Sequence, residues 1–126
     1  MVKPIVWVIV GTRPECIKQA PVFQAITKSN KFNVRLVGTG QHKELLESAL
    51  NVYGLKLDFS FNSMESGQKL PELSFKVIKG FIEIVSRSET PDCVIVQGDT
   101  TSACFTAIAA FQLGIKVFHN EAGLRT

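Results

Sequence analysis

The sequence predicts an α/β fold built on a doubly wound parallel sheet. Three observations carry this. Short apolar runs rich in β-branched residues alternate with helix-period stretches along the whole chain. The runs are continuous instead of alternating apolar with polar, as strands covered on both faces are. Three of them lead directly into polar motifs: GTRPE at 11–15, QGDTTS at 97–102 and NEAGLRT at 120–126. Open parallel sheets bind ligands outside the carboxyl ends of their strands, so motifs in those positions converge on one site.

Taken in order, residues 5–10 (IVWVIV) form the first strand. Gly11 permits a tight turn at its end, and Pro14 falls in the first turn of a helix, where its missing amide costs nothing. Pro21 lies inside the same helical pattern and removes a donor, so a kink or restart is expected near 19–21. Residues 34–38 are the second strand, followed by a helix opening after Gly40 and Gln41. Residues 57–61 are a weaker strand candidate, and the polar stretch 62–69, with Met64, Gly67 and Gln68, reads as a loop or lid. The clearest helix repeats Leu70, Leu73, Val77, Phe81 and Ile84, with Ile78 and Val85 widening the stripe. After a surface connection over 86–92 come a strand at 93–97, an Ala-rich helix over 103–113 and a last strand at 115–119. Right-handed βαβ crossovers put strand 5–10 at the centre, flanked by the strands ending near Gly38 and Gln97, with 115–119 beyond the latter. The order then reverses beside the first strand, where a site should open.

At 126 residues with 45% hydrophobic content, the chain makes one domain. A domain of this size buries roughly two thirds of its unfolded surface and needs no staple. Cys16, Cys93 and Cys104 follow no metal spacing and read as three buried small hydrophobes, which suits a reducing, cytoplasmic compartment. The first apolar run is too short for a secretory core, and nothing approaches a membrane span of ~20 apolar residues. The net charge of +3 is concentrated in residues 1–63 without forming a basic stripe. That balance suits an anionic small molecule and argues against nucleic acid as a partner.

In the first motif, free amides at a helix start combine with the Arg13 guanidinium into an anion site. Neither GxxxxGK[ST] nor GxGxxG is present. The competing reading is a plain turn and cap, with Glu15 and Lys18 as a surface i,i+3 pair. In the second motif, Asp99, Thr100 or Thr101 can each cap the helix that follows. Only one cap is needed, which leaves Asp99 as a candidate acid or base. Glu121 lies just past the next strand, and two carboxylates brought into one pocket divide into an acid and a base. His119 reads as a hydrogen-bonded structural residue, and no second His or Cys stands at metal spacing beside it, so no metal site is expected.

GTRPECIKQAP at 11–21, GTGQHKELL at 38–46, QGDTTS at 97–102 and HNEAGLRT at 119–126 together resemble the UDP-N-acetylglucosamine 2-epimerase family, non-hydrolysing type. Order and spacing are similar to those of its amino-terminal domain over the whole chain. The resemblance implies a Rossmann-like domain over 1–126, the first half of a GT-B-type two-domain architecture whose second, nucleotide-binding domain is absent from this chain. It implies interconversion of UDP-N-acetylglucosamine and UDP-N-acetylmannosamine through elimination and re-addition of UDP, without a metal or organic cofactor. Matched motif by motif, it implies proton transfer by Asp99 and Glu121. It also implies contacts near the diphosphate from Arg13 and Lys18, and a regulatory UDP-sugar site drawing on Gln41, His42 and Gln68. A UDP-sugar partner, a homodimer built through this domain and a place in surface polysaccharide synthesis follow from the same resemblance.

Two residues depart from the family pattern. Asn120 replaces an aliphatic residue on a core strand, and Gly67 replaces a residue that is often basic. The chain stops inside its third motif, and a further family glutamate, a histidine and most uridine contacts fall downstream. Residues 1–126 alone are therefore not expected to turn substrate over. Alternative readings are an acceptor-side domain of a GT-B-type glycosyltransferase, or a non-catalytic interaction module. The pairing of DTTS with EAGLRT favours the epimerase. A receiver-like module would need acidic residues where Gly11, Thr12 and Arg13 stand.

Overall fold

The structure, a computed structural model, describes residues 2–61 and 67–121. Its elements run β1 (Ile5–Val10), α1 (Arg13–Ser29), β2 (Asn33–Gly38), α2 (Lys43–Val52), β3 (Phe59–Ser60), α3 (Leu70–Arg87), β4 (Cys93–Gln97), α4 (Thr101–Gln112) and β5 (Lys116–Asn120). All pairings are parallel and the strand order is β3-β2-β1-β4-β5, with β1 central as expected.

Side chains along β1 alternate between two covered faces, as the two-residue strand period dictates. Val6, Val8 and Val10 pack with Cys16 of α1, Leu36, and Leu46 and Leu50 of α2. Trp7 and Ile9 pack on the opposite face with Val77 and Phe81 of α3 and Ala109 and Ala110 of α4. Each fully buried side chain of the larger kind contributes ~1.5–3 kcal/mol. Trp7 has no exposed surface, and its ring centroid lies 5.4 Å from that of Phe59 and 5.8 Å from that of Phe81. Small residues at Ala103, Ala109 and Ala110 let α4 approach the sheet closely, as its composition suggests.

Two expectations are corrected. First, α1 runs without interruption through Pro21. Pro21 and Ile17, whose carbonyl loses its helical donor to that proline, both lie on the exposed side of α1, where solvent can satisfy the carbonyl. Second, β3 has two residues instead of five. The Asp58 carboxylate accepts the Leu36 amide at 2.7 Å while the Asp58 amide donates to the Leu36 carbonyl at 2.8 Å. A side chain thus takes a bond that a longer ladder would use. Of the loop reading over 62–69, residues 62–66 lie outside the described residues.

Candidate functional site

The carboxyl ends of β1, β2, β4 and β5 lie along one edge, so the turns that follow them are neighbours. The pairing of β1 with β4 stops at Val8↔Ile95, although the strands continue to Val10 and Gln97. Beyond that pair the two strands no longer share a ladder, as expected where the order reverses. Gln19 of α1 bridges them. Its buried Nε2 donates to the Ile9 carbonyl at 3.2 Å and to the Ile95 carbonyl at 2.9 Å, and its Oε1 accepts from Asn120 Nδ2 at 3.3 Å. The expectation that Asn120 stands on a core strand is corrected: β5 is the edge strand and largely exposed, and half-buried Asn120 finds its partner in Gln19.

Gly11 ends β1 where no side chain fits. A Cβ there would lie 2.4 Å from Thr39 Oγ1 and 2.5 Å from Ser102 Oγ. Those two hydroxyls hydrogen-bond each other at 2.8 Å, and Ser102 Oγ also donates to Gln41 Oε1. A serine hydroxyl has one proton, so Thr39 donates to Ser102. The turn after β2 is in this way tied to the first turn of α4.

Glu15 is not half of a surface pair. Lys18 is exposed, but Glu15 is only 1% exposed. Its Oε1 accepts from Thr12 Oγ1 at 2.9 Å and from Thr100 Oγ1 at 3.0 Å, while the buried Oε2 has no hydrogen-bond partner among the described residues. Burial pushes this carboxyl above its ordinary value, against the opposing pull of the Thr12 and Thr100 hydroxyls and of the Gly11 and Thr12 backbone. Sequence reasoning missed this role. The T-x-x-E spacing of Thr12 and Glu15, which puts them one helical turn apart, is the signal that the two side chains can meet, although the capping box that spacing suggests does not form.

Arg13, the first residue of α1, is exposed. Gly98 adopts φ +76°, a left-handed turn that glycine permits, and presents Asp99 as an exposed residue at the end of β4. Thr100 is the N-cap of α4, accepting from the Ala103 amide at 3.0 Å, so Asp99 does not carry the cap. The register Gln97↔Asn120 brings the Asp99 turn beside Glu121. His119 spans the gap, its Nε2 lying 2.7 Å from the Gly98 carbonyl and 3.1 Å from Glu121 Oε2. Asp99 and His119 also line a cavity of about 330 Å³ between α4 and β5.

Gln41 is half-buried on Ser102, and the backbone amide of His42 donates to the Gly11 carbonyl at 3.1 Å while its side chain is exposed. Nearby, Gly40, Lys43, Ser60 and Phe61 line a cavity of about 410 Å³. Gln68 is half-buried just before α3. The third motif is described only through Glu121, and residues 122–126 lie outside the described residues. Of the cysteines expected to be buried, Cys16 is and Cys93 partly is, but Cys104 is exposed, at the mouth of the cavity between α4 and β5. Among the described residues no group of three His, Cys, Asp or Glu side chains could hold a metal ion. No helix among them is long and apolar enough to cross a membrane.

A protein-family model described as UDP-N-acetylglucosamine 2-epimerase matches residues 24–126. A curated relative from Campylobacter jejuni, "UDP-N-acetylglucosamine 2-epimerase", is 42% identical over all of this chain and 32% of its own length. Among solved structures, one titled "Crystal structure of UDP-N-acetylglucosamine 2-epimerase" superimposes with a TM-score of 0.89 at 37% identity, over 98% of this chain and 35% of its own. The Neisseria meningitidis UDP-GlcNAc 2-epimerase bound to UDP-GlcNAc superimposes with a TM-score of 0.86 at 39% identity, over 97% of this chain and 33% of its own. The chain thus spans about a third of the length of the relatives it matches.

Proposed function

The chain belongs to the UDP-N-acetylglucosamine 2-epimerase family, and from that premise we propose that it supplies the amino-terminal wall of an active site that interconverts UDP-N-acetylglucosamine and UDP-N-acetylmannosamine. Residues 1–126 make the first, Rossmann-like domain of a GT-B-type pair, and the uridine is held mainly by a second domain. One carboxylate takes the proton from C2 as the C1–oxygen bond to UDP breaks, leaving a 2-acetamidoglucal. A proton then returns to C2 on the opposite face and UDP adds back to C1. Asp99 and Glu121 carry this proton traffic. Arg13 and Lys18 stabilise the negative charge that develops on the leaving UDP. Gln41, His42 and Gln68 contribute to a second, regulatory UDP-sugar site. The reaction so written calls for no metal or organic cofactor.

The observation that carries this reading is the register Gln97↔Asn120, from which Asp99 and Glu121 follow at adjacent strand ends with His119 between them. Supporting it, Thr100 and not Asp99 caps α4, which leaves the Asp99 carboxylate available for chemistry. The work belongs in the cytoplasm and in a homodimer. Phe75 of α3 and Phe111 of α4, 74% and 79% exposed, give the dimer an apolar surface on this domain. The test is incubation of the full-length gene product with UDP-N-acetylglucosamine in deuterated water. Deuterium entering C2 together with the appearance of the manno epimer is the expected result; absence of both refutes the reading.

A further inference from the structure

Glu15 is a buried carboxylate that the proposed chemistry leaves without a task. It sits on α1 at the base of the site, and one of its oxygens takes hydroxyl protons from two different turns. Thr12, before Arg13, donates at 2.9 Å, and Thr100, after Asp99, donates at 3.0 Å. Thr100 is held from the other side as well, because its hydroxyl oxygen accepts the Ala103 amide at 3.0 Å. A hydroxyl that donates one way and accepts the other has no free rotor left. The residue that follows Asp99 is therefore tied both to Glu15 and to the first turn of α4. Arg13 lies between Thr12 and Glu15 on the opposite side of the same contact.

We infer that Glu15 is a positioning residue: it binds no substrate but, through Thr12 and Thr100, sets the separation between the Arg13 turn and the Asp99 turn. The inference rests on the roles proposed above for Arg13 and Asp99. Placing a buried acid there is costly unless it is hydrogen-bonded, and an acceptor able to take two donors at one atom is what this junction requires. Glutamine keeps a carbonyl oxygen in the same position, whereas alanine removes the junction.

The test compares Glu15→Ala, Glu15→Gln and Thr12→Val in the full-length gene product, measuring kcat and KM for UDP-N-acetylglucosamine on folded protein. The expected result for Glu15→Ala is a kcat reduced by at least about tenfold with KM changed by less than about threefold, since misplaced catalytic groups lose orientation. Glu15→Gln should recover most of that loss, and Thr12→Val, which removes one donor to the same oxygen, should reduce kcat by a few fold. Thr12→Val also carries the test if Glu15→Ala does not fold. A folded Glu15→Ala with unchanged kcat, a glutamine variant no better than alanine, or an unchanged kcat in Thr12→Val would overturn the inference while leaving the epimerase reading intact. A wild-type protein that fails to exchange the C2 hydrogen would instead overturn the epimerase reading, and with it the reaction Glu15 is said to serve.

Discussion

Replacing Gln19 with leucine tests whether the split between β1 and β4 is held by one side chain. The two residues are similar in volume, so the change creates little cavity and removes mainly hydrogen bonds. Three groups lose a partner: the carbonyls of Ile9 and Ile95 and the Nδ2 of Asn120. A buried polar group left unpaired costs ~1–3 kcal/mol. The carbonyls have second lone pairs, and the half-buried Asn120 can reach water, so the low end applies to each and the total is about 2–4 kcal/mol. Trp7, the single tryptophan and fully buried, reports unfolding by fluorescence. With a urea slope of ~1.5 kcal/mol per M, the midpoint should fall by about 1.3–2.7 M at unchanged slope. Asn120→Val is the control, because it leaves both carbonyls bridged and unpairs only Gln19 Oε1; it should cost ~1 kcal/mol, the low end for one buried group. A Gln19→Leu midpoint no lower than that of Asn120→Val would refute the bridge.

Asp99→Asn and Glu121→Gln, made in the full-length gene product, should each keep the fold and most ground-state affinity while cutting turnover by at least ~10²-fold, with C2 deuterium exchange falling in parallel. Because Thr100 holds the cap, near-normal turnover in Asp99→Asn would remove Asp99 from the chemistry and leave Glu121 alone. Burial raises the Glu15 carboxyl in the folded state, so the folded chain holds that proton to higher pH than the unfolded one. Stability from this group is therefore fully present below the ordinary value of 4.5 and declines as pH rises from there through the raised value. Urea midpoints followed across that range should fall in wild type and stay flatter in Glu15→Gln; identical profiles would contradict it. Residues 1–126 expressed by themselves should show no measurable epimerase turnover, since one wall of a cleft cannot orient the sugar; robust turnover by the pure segment would overturn this.

The sequence by itself determined the layered architecture. Continuous apolar strands need cover on both faces, helix-period stretches between them supply it, and right-handed crossovers then leave β1 in the centre. It also located the strand-end turns that carry Arg13, Asp99 and Glu121, because a turn motif is a local property of consecutive residues. Tertiary structure alone decided what lies beneath those turns. Glu15 and Lys18 are three residues apart on one helix, and spacing cannot say that one is buried under Thr100 while the other faces solvent. Thr100 is 85 positions from Glu15, and Asn120 is 101 from Gln19. Such partners are chosen by the packing of α1 across the ends of β1, β4 and β5, and no pattern within either segment encodes them. The continuous α1 has a similar origin: a proline weakens a helix locally, but Gln19 and the buried side of α1 are held by the sheet, and that packing outweighs one missing hydrogen bond.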